Sequence, residues 1–504
     1  MAVASLPEIT LEDLTFSNAF AGLGDRFYET RTPSGLEGAR LVAVSPDAAA
    51  LIDLPASELT RDEFIRIASG TAILRGMQPF AALYGGHQFG VWAGQLGDGR
   101  AIALGEITNQ CGEPWEIQLK GAGQTKYSRH ADGRAVLRST IREFLASEAM
   151  DALGIPTTRA LAMVANDEQV YRESIETAAI VVRLAQSFVR FGSFEIFAAR
   201  GEHDAVRILA DYVIDRFYPE SGSGDDRYVR FFESVLKRTA RLMADWQSVG
   251  FMHGVMNTDN FSILGLTLDY GPYGFMEGYE PGHICNHTDH SGRYAFDQQP
   301  GIGLWNCYAL GNALAGIVEP AQLEEVITSY VPTLRAAFID NTRAKLGLAT
   351  NEPEDDQLGQ DFRTAMTTAK SDFTRTFRML ADIRSPAESA GNEGLARAHR
   401  ESLHIALGGT GDAVTWIDRY EQRLEREARP AAERAAAMNA VNPRIVLRNH
   451  LAQEAIAAAE AGDDEPVRRL LAALRRPYSD DPDVAAYDRP APAGQPAIVV
   501  SCSS

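Results

Sequence analysis

The segment HGVMNTDN at residues 253–260, followed by DYG at residues 269–271, is the part of the chain that decides its fold. Asn260 and Asp269 provide an amide oxygen and a carboxylate, which are hard ligands suited to Mg²⁺ held between phosphate groups. A local role is the alternative, because Asn and Asp side chains also form turns with their own backbone. The spacing of the two segments favours the metal site.

That spacing matches the catalytic loop of protein kinases, H-R-D-x-x-x-x-N, with its following D-F-G. His253 and Asn260 keep the separation of the kinase histidine and asparagine. Val255 stands where kinases have the aspartate that accepts a hydroxyl proton. Asp259 is the only carboxylate in the 253–260 loop that could replace it. We therefore expect either a catalytically inactive chain or a different reaction on the same nucleotide.

The predicted elements change from strands to helices along the chain. Alternating and β-branched runs predict strands at 89–93, 101–107, 115–121 and 177–185. A helix of roughly 20 residues is expected between the last two, starting near Arg134. Helical patterns dominate 205–250 and 305–475. This order predicts the α+β class and a bilobal protein-kinase-like fold, with a small β-rich N-lobe, a large mainly helical C-lobe and an extended C-terminal tail.

The same order predicts how the chain is divided. At 504 residues it exceeds the ~250–300 residues at which single hydrophobic cores stop growing. We expect an N-terminal extension at 1–77, the N-lobe at 78–185, the C-lobe with its catalytic loop (253–271) at 186–478, and a Pro-rich tail at 479–504.

Composition excludes several classes of partner. The formal charge of −20 argues against affinity for nucleic acid or an anionic membrane. No apolar run approaches the ~18 residues that span a bilayer, and the first residues lack the basic region of a signal peptide. Cys111, Cys285, Cys307 and Cys502 are far apart, unlike a secreted disulfide scaffold. We expect a cytoplasmic protein without nucleic-acid or membrane partners.

Candidate phosphate-binding residues precede the 253–260 loop. Gly97, Gly99 and Arg100 lie in a Gly-rich turn where backbone amides and a fixed charge can approach phosphates, although an ordinary hairpin turn has the same composition. Arg183 and Arg190 could clamp a polyphosphate, although surface arginines are common. A local basic pocket of this kind could hold a nucleotide despite the negative charge of the chain.

Lys120 ends the predicted strand 115–121 and could meet phosphate oxygens if a carboxylate of the next helix orients it. A surface lysine at a strand end is the more common case for any single lysine. Glu143 and Glu148 compete as its partner. Helical periodicity places Glu148 among the apolar positions and Glu143 on the other side, so periodicity alone selects Glu148 as the buried carboxylate.

His283, Cys285, His287 and His290 crowd together, as metal ligands can. Zinc ligands are usually less compressed along the chain, and no second ligand pair stands at a suitable distance. We favour a mobile, polar loop on the substrate side over a structural zinc site.

Five stretches together resemble the selenoprotein O family: YGGHQFGVWAGQLGDGRA (84–101), EIQLKGAGQTKYSRHADGRAVLRSTIREFLASEAM (116–150), HGVMNTDNFSILGLTLDYGPYGF (253–275), NPRIVLRNH (442–450) and CSS (502–504). The resemblance implies a protein-kinase-like fold that binds ATP in an inverted orientation. It also implies transfer of AMP, instead of phosphate, to hydroxyl side chains of partner proteins. The missing base at Val255 then has an explanation, because a flipped ATP presents its α-phosphate to the acceptor.

The resemblance also implies a role for each matching residue. Asp259 corresponds to the proton acceptor, Asn260 and Asp269 to the ligands of Mg²⁺ (or Mn²⁺), and Lys120 and Glu143 to an ion pair, which selects Glu143 over Glu148. The implied ATP contacts are Gly97, Gly99, Arg100, Lys120, Asp132, Gly133, Arg183, Arg190 and Asp269. Some eukaryotic members have selenocysteine where this chain has Cys502, and the family implies a redox-regulated disulfide, here Cys285–Cys502. A conventional kinase and a non-catalytic nucleotide-binding redox module remain the rival interpretations.

Overall fold

The computed structural model describes residues 9–224, 226–389, 391–492, 494 and 498–500. Within them the chain has the α+β architecture expected from the sequence, an antiparallel sheet region followed by a mainly helical part. No helix in the described part of the chain is long and apolar enough to cross a membrane.

The strands form one large sheet and two small ones. The large sheet has the order β1-β3-β6-β7-β10-β9-β2, with β8 paired to β10, and the hairpin β4-β5 and the two-stranded sheet β11-β12 stand apart from it. The strand bounds are β1 (Tyr28–Thr30), β2 (Arg40–Val44), β3 (Phe80–Ala82), β4 (Gly85–Gln88), β5 (Val91–Gln95), β6 (Ala101–Thr108), β7 (Pro114–Lys120), β8 (Ala135–Val136), β9 (Arg159–Tyr171), β10 (Ile175–Ala185), β11 (Phe251–Met252) and β12 (Gly274–Phe275).

Helices cover the sheet and build the second half of the described chain. Their bounds are α1 (Pro46–Ala50), α2 (Asp62–Ala68), α3 (Leu137–Ala152), α4 (Phe191–Ala199), α5 (His203–Phe217), α6 (Arg227–Val249), α7 (Gln299–Leu314), α8 (Pro320–Ile327), α9 (Tyr330–Leu346), α10 (Asp355–Ala369), α11 (Phe373–Met379), α12 (Glu393–Ala406), α13 (Gly411–Leu424), α14 (Ala431–Asn439), α15 (Asn449–Glu460), α16 (Glu465–Leu474) and α17 (Pro482–Ala485). Helices therefore dominate 205–250 and 305–475, as the sequence predicts.

The central strands are buried on both faces of the sheet. Because side chains alternate between the two faces along a strand, polar side chains collect on one face. Ile117 and Leu119 of β7 pack in the core shared with α1 and α2. Gln118 and Lys120 point to the opposite face, because side chains alternate along a strand. Arg183 of β10 is the direct cross-strand partner of Gln118. The register thus places three polar side chains of adjacent strands on the face next to α3.

Several element boundaries differ from the sequence predictions. The strand predicted at 89–93 is wrong in its first residues, because Phe89 and Gly90 form the turn between β4 and β5 and Phe89 has a φ of 51°. The helix predicted to start near Arg134 starts at Leu137, because residues 135–136 pair with β10 as strand β8. Strand β9 was not predicted. Strands β1 and β2, which precede residue 78, belong to the same large sheet.

Candidate functional site

A cleft of about 630 Å³ lies between the large sheet and the loop 253–271. We use the word cleft for this space throughout. The residues predicted to contact ATP or the metal all line it, whereas Asp259 and Glu143 do not; the lining includes Gly97, Gly99, Arg100, Lys120, Asp132, Gly133, Arg183, Arg190, Asn260 and Asp269. The structure therefore brings together side chains from the strands, the Gly-rich turn and the 253–271 loop.

Lys120 at the end of β7 contacts carboxylates from two different elements. Its Nζ lies 2.6 Å from Oε2 of Glu143 on α3 and 3.3 Å from Oδ1 of Asp269. All three side chains are at least four-fifths buried. Burial lowers the pKa of Lys120, and the two carboxylates oppose that shift. Lys120 is therefore an oriented cation at the inner end of the cleft.

Glu148 is buried as the periodicity predicts, but it serves a different cation. Arg159 donates to both of its carboxylate oxygens, at 3.0 and 2.8 Å, and Ser45 donates to it as well. Glu143, one and a half turns earlier on α3, is equally enclosed and faces the cleft. Periodicity does not separate the two glutamates, because α3 is packed on almost every side.

Asp269 is the point on which the cations of the cleft converge. Arg183 donates to its Oδ1 at 2.5 Å, Arg190 donates to its Oδ2, and Lys120 is the third contact. Burial would raise the pKa of Asp269, but Arg190, Arg183 and Lys120 together hold it well below the usual range. Its backbone has a φ of 59°, an uncommon conformation for a non-glycine residue. Asp269 is thus an anion under any ordinary condition.

Asn260 lines the cleft from the loop 253–260. Its amide nitrogen donates to the backbone oxygen of Val255 at 2.9 Å, which leaves the amide oxygen for a ligand. The loop itself is held by His253, whose Nε2 meets the backbone oxygen of Leu268 at 2.9 Å and whose ring stacks on Trp246. The local packing therefore fixes Asn260 and Asp269 relative to one another.

Asp259 is buried beside the cleft, with one polar contact to its side chain. Gln88 of β4 donates to Oδ2 at 3.3 Å, and Oδ1 has no hydrogen-bond partner in the described part of the chain. Burial raises the pKa of Asp259 to about 6, with Arg190 opposing the shift. Arg190 also donates to the Asp259 backbone oxygen at 2.7 Å and so joins this residue to Asp269. A carboxyl group with this pKa can accept a proton near neutral pH.

The turn at 96–100 brings backbone and charge to the outer part of the cleft. Gly97 has a φ of 146°, and a Cβ there would lie 2.3 Å from the Tyr127 ring, so no other residue fits. Arg100 is exposed at the rim. Asp132 is held by Arg172 through contacts of 2.7 and 2.9 Å. These groups could reach a ligand that the inner cations hold.

Sequence reasoning missed four residues that complete the site. Gln88 contacts Asp259, and the Tyr84 ring lies 4.6 Å from the Arg190 guanidinium. Asp98 accepts from Gln118 at 3.2 Å, and Gln118 accepts from Arg183. Tyr84, Gln88 and Asp98 lie within the stretch 84–101 that resembles the selenoprotein O family, so the sequence could have indicated them. Only the register of β7 and β10 identifies Gln118.

The hairpin β4-β5 is tied to the 253–260 loop by its backbone. His87 N donates to Thr258 Oγ1 at 2.7 Å, and Phe89 N donates to Asn257 Oδ1 at 3.1 Å. Gly86 permits this approach, since a Cβ there would lie 2.9 Å from Thr258 Oγ1. The position of Asp259 is therefore fixed by both elements.

The His- and Cys-containing segment does not gather into a metal cluster. No group of three or more His, Cys, Asp or Glu side chains in the described residues is placed to hold a metal. The Cys285 Sγ donates to the Pro272 backbone oxygen at 3.1 Å, and burial raises its pKa to about 12. Val500 pairs with Asn286 as an isolated bridge. Cys502, the other half of the implied disulfide, lies outside the described residues.

Comparison with known proteins gives matches along almost the whole chain. The family described as protein adenylyltransferase SelO matches residues 10–475. The protein nucleotidyltransferase YdiU of Bordetella petrii is 50% identical over 506 residues, with 98% of this chain and 99% of that protein covered. The protein of the same description from Myxococcus xanthus is 49% identical over 495 residues, with 98% and 100% covered. The similarity therefore includes every residue of the cleft.

Proposed function

Because the chain belongs to the protein adenylyltransferase SelO family, we propose that its protein nucleotidyltransferase activity moves AMP from ATP to other proteins. The acceptors are Ser, Thr or Tyr hydroxyl groups, and pyrophosphate is the leaving group. One observation carries this choice of reaction. The kinase base position is Val255, while the carboxylate able to accept a proton is that of Asp259, whose backbone oxygen accepts from the same Arg190 nitrogen that donates to Asp269.

In the proposed reaction Asp259 accepts the hydroxyl proton and the freed oxygen attacks the α-phosphorus in line. The bond from that phosphorus to the bridging oxygen of pyrophosphate breaks. Lys120, Arg183 and Arg190 stabilise the negative charge that builds on the phosphate chain. Their present contacts to Asp269 and Glu143 hold them at the cleft before ATP arrives. ATP lies inverted, with its terminal phosphate away from the acceptor.

The donor set also fits a divalent metal ion. Asp269 stays ionised because three cations lower its pKa, and the amide oxygen of Asn260 is left for a ligand. Mg²⁺ prefers such oxygen ligands together with phosphate oxygens. When bound, Mg²⁺ would neutralise charge on the phosphates. Asn260 and Asp269 would hold it, in competition with the present bonds from Arg183 and Arg190.

We extend the same proposal to the architecture. The sheet region and the helical part are taken as the two lobes of a protein-kinase-like fold, divided near 77, 185 and 478 as the sequence predicts. In this view β1 and β2 of the N-terminal extension complete the sheet of the first lobe. The cleft then lies between the lobes, where a nucleotide binds in a kinase.

A redox control is the final element of the proposal. Val500 pairs with Asn286, which is the sequence neighbour of Cys285, and Cys502 follows Val500 by two residues. The high pKa of Cys285 makes it a poor attacking thiolate, so the Cys502 thiolate would first attack a small disulfide and release one small thiol; Cys285 would then displace the second small thiol from the mixed disulfide, and the small disulfide thereby takes up the two electrons. Equal activity of the wild type with and without reductant, and of Cys502→Ser, would contradict this control.

Labelled ATP tests the proposed reaction against its rivals. The purified chain and a protein acceptor are incubated with Mg²⁺ and with ATP labelled at either the α or the γ phosphate. Retention of only the α label is the expected result. Retention of the γ label would establish a conventional kinase, which Val255 disfavours. If neither label is retained with several acceptors, the non-catalytic binding module is the better interpretation.

A further inference from the structure

A second pocket, of about 80 Å³, lies among α6, α9, α10 and α11. We call it the helical pocket. It shares no lining residue with the cleft. A water molecule takes roughly 30 Å³ in the liquid, so the pocket has room for a group the size of two or three waters. Phe338, Phe373 and Phe377 form aromatic walls, and Lys345 and Arg363 bring positive charge. None of these residues has a role in the proposed reaction.

Lys345 is buried without a compensating carboxylate. Only 5% of the residue is exposed, and its Nζ lies 4.3 Å from the centre of the Phe377 ring. Within the described chain, its ammonium group has neither a hydrogen bond nor an ion pair. Burial alone lowers its pKa to about 7. A buried lysine of this kind is costly to keep charged unless an anion approaches it.

Arg363 of α10 is the second cation of the helical pocket. Its guanidinium lies 4.7 Å from the centre of the Phe338 ring and donates to Thr342 Oγ1 at 3.3 Å. Among the described residues, no carboxylate lies within ion-pair distance of it. Burial lowers its pKa as well. Other enclosed arginines, such as Arg423 and Arg434, are all but fully buried and have carboxylate partners at 2.6 and 2.7 Å.

The carboxylates on the surrounding helices form no ion pair with the two cations among the described residues, and the charge of Asp356 acts on Arg363 only at longer range, where it opposes the lowering of the Arg363 pKa. Asp245 of α6 accepts from Asn341 at 2.9 Å, and Asp356 of α10 accepts from Arg335 at 3.3 Å. Both carboxylates are therefore bonded to other side chains. Tyr279, the remaining titratable lining residue, has a raised pKa because it is buried, and is neutral at physiological pH. The pocket thus presents a net positive charge in a chain whose formal charge is −20.

We propose that the helical pocket binds a small anion carrying a carboxylate or phosphate group, with Lys345 and Arg363 as its ligands. Two cations from different helices can hold the oxygens of one anion, and the aromatic walls keep water away from the contact. Binding stabilises the charged form of Lys345, so the anion is taken up together with a proton above pH ~7. Its affinity therefore falls as the pH rises above that value.

Nuclear magnetic resonance of the lysine side chains tests this directly in the full chain. The chain has five lysines, Lys120, Lys126, Lys237, Lys345 and Lys370, so ¹³Cε labelling gives a small set of signals. Arg substitutions at Lys126, Lys237 and Lys370 assign three of them, and Lys345→Met removes the fourth. If that variant does not fold, Lys120→Arg assigns the fourth signal instead, and the remaining signal belongs to Lys345.

The pH titration is run with chloride, inorganic phosphate or acetate at constant ionic strength. In chloride the Lys345 signal is expected to titrate near pH 7. Saturating phosphate or acetate should raise that midpoint by about one unit or more, and Lys370 should not move. A response to phosphate alone identifies a phosphate-bearing ligand, and a response to acetate alone a carboxylate. An unchanged Lys345 midpoint in both anions would overturn the proposal.

Arg363→Leu and Arg469→Leu supply matched variants. Arg469 lies on α16 with 69% of its side chain exposed and pairs with Glu465 on the same helix, away from the helical pocket. Arg363→Leu should abolish the anion-dependent shift of Lys345, whereas Arg469→Leu should keep it. A shift that survives Arg363→Leu unchanged would contradict the two-cation site.

Discussion

Lys120 in the cleft and Lys345 in the helical pocket are both buried, and burial lowers the pKa of both, yet their surroundings are opposite. Lys120 lies 2.6 Å from Glu143 and shares Asp269 with two arginines. Lys345 faces aromatic rings. Burial alone therefore does not show whether a lysine is paired within the protein or is available to bind an anion. The presence or absence of neighbouring carboxylates does show this, and substitutions in both regions can test it.

Asp269→Asn should give the largest effect, because it removes the carboxylate that the cations of the cleft share. The cleft would then contain cations without that partner, as the helical pocket does. Lys120, Arg183 and Arg190 would lose their shared anion, and the metal would lose its carboxylate ligand. We expect metal-dependent AMP transfer to fall by about 10³-fold or more, measured with α-labelled ATP. Glu233→Gln, on the exposed face of α6, is the control and should change little. Activity of Asp269→Asn within tenfold of the wild type would show that the convergence of cations on Asp269 is not needed.

Asp259→Asn removes the other carboxylate and leaves all contacts of the cations intact. Transfer should fall by about 10²–10⁴-fold, the range for loss of a general base, with ATP affinity nearly unchanged. In the wild type kcat/KM should rise with pH through about 6 and level off above, since the carboxylate must be deprotonated to accept a proton. Measurement of the pH profile of both proteins checks this. If kcat/KM of Asp259→Asn still rises with pH through about 6, the group that titrates there is not Asp259.

Substitution of the two lysines by Met compares the two regions directly. Lys120→Met leaves Glu143 buried without its nearest cation and removes a charge from the phosphate site, so activity should fall by about 10²-fold. Lys345→Met should keep activity within twofold and leave the protein as stable or more stable, because a buried unpaired charge is lost. Transfer assays and urea unfolding measure both. An equal loss of activity in Lys345→Met and Lys120→Met would show that the two lysines do not differ in their importance for transfer.

The pH dependence of stability sharpens the comparison further. Lys345 has a pKa of about 7 in the folded chain and ~10.4 when unfolded. Between these values the unfolded chain binds more protons, so the free energy of unfolding should rise with pH, by up to about 1.4 kcal/mol per unit. Urea unfolding should show Lys345→Met as the more stable protein below pH 7, with a constant difference from the wild type, and this difference should narrow above pH 7 as the wild type gains stability. Lys370→Met, at an exposed site, should follow the wild type throughout.

The structure brings the predicted ATP and metal residues together in one cleft, and the sequence could indicate them because their signal lies in the chain order. The spacing from His253 to Asn260 and the Asp269-Tyr270-Gly271 tripeptide place the loop, and Gly97 shows where backbone must approach closely. The same reasoning did not find Gln118 or the helical pocket. Both depend on contacts between elements distant along the chain, since β7 meets β10 and α9 meets α10 and α11 only in the folded state. The prediction of a strand at 89–93 is wrong in its first residues for a local reason, because Phe89, a non-glycine residue, occupies the turn.

Gln88→Leu should give the smallest effect, because it removes one neutral hydrogen bond and no charge. Gln88 stabilises the charged form of Asp259, so its loss should raise the pKa of that carboxyl. A neutral hydrogen bond contributes about 1 kcal/mol, so the acid limb of kcat/KM should move up by about one pH unit or less. Gln95→Leu on the same hairpin, where Gln95 bonds Arg200, is the matched control and should leave the limb in place. A loss of activity at every pH without movement of the limb would mean that Gln88 positions the acceptor hydroxyl instead of Asp259. The hairpin β4-β5 would then belong to the surface that meets the protein substrate.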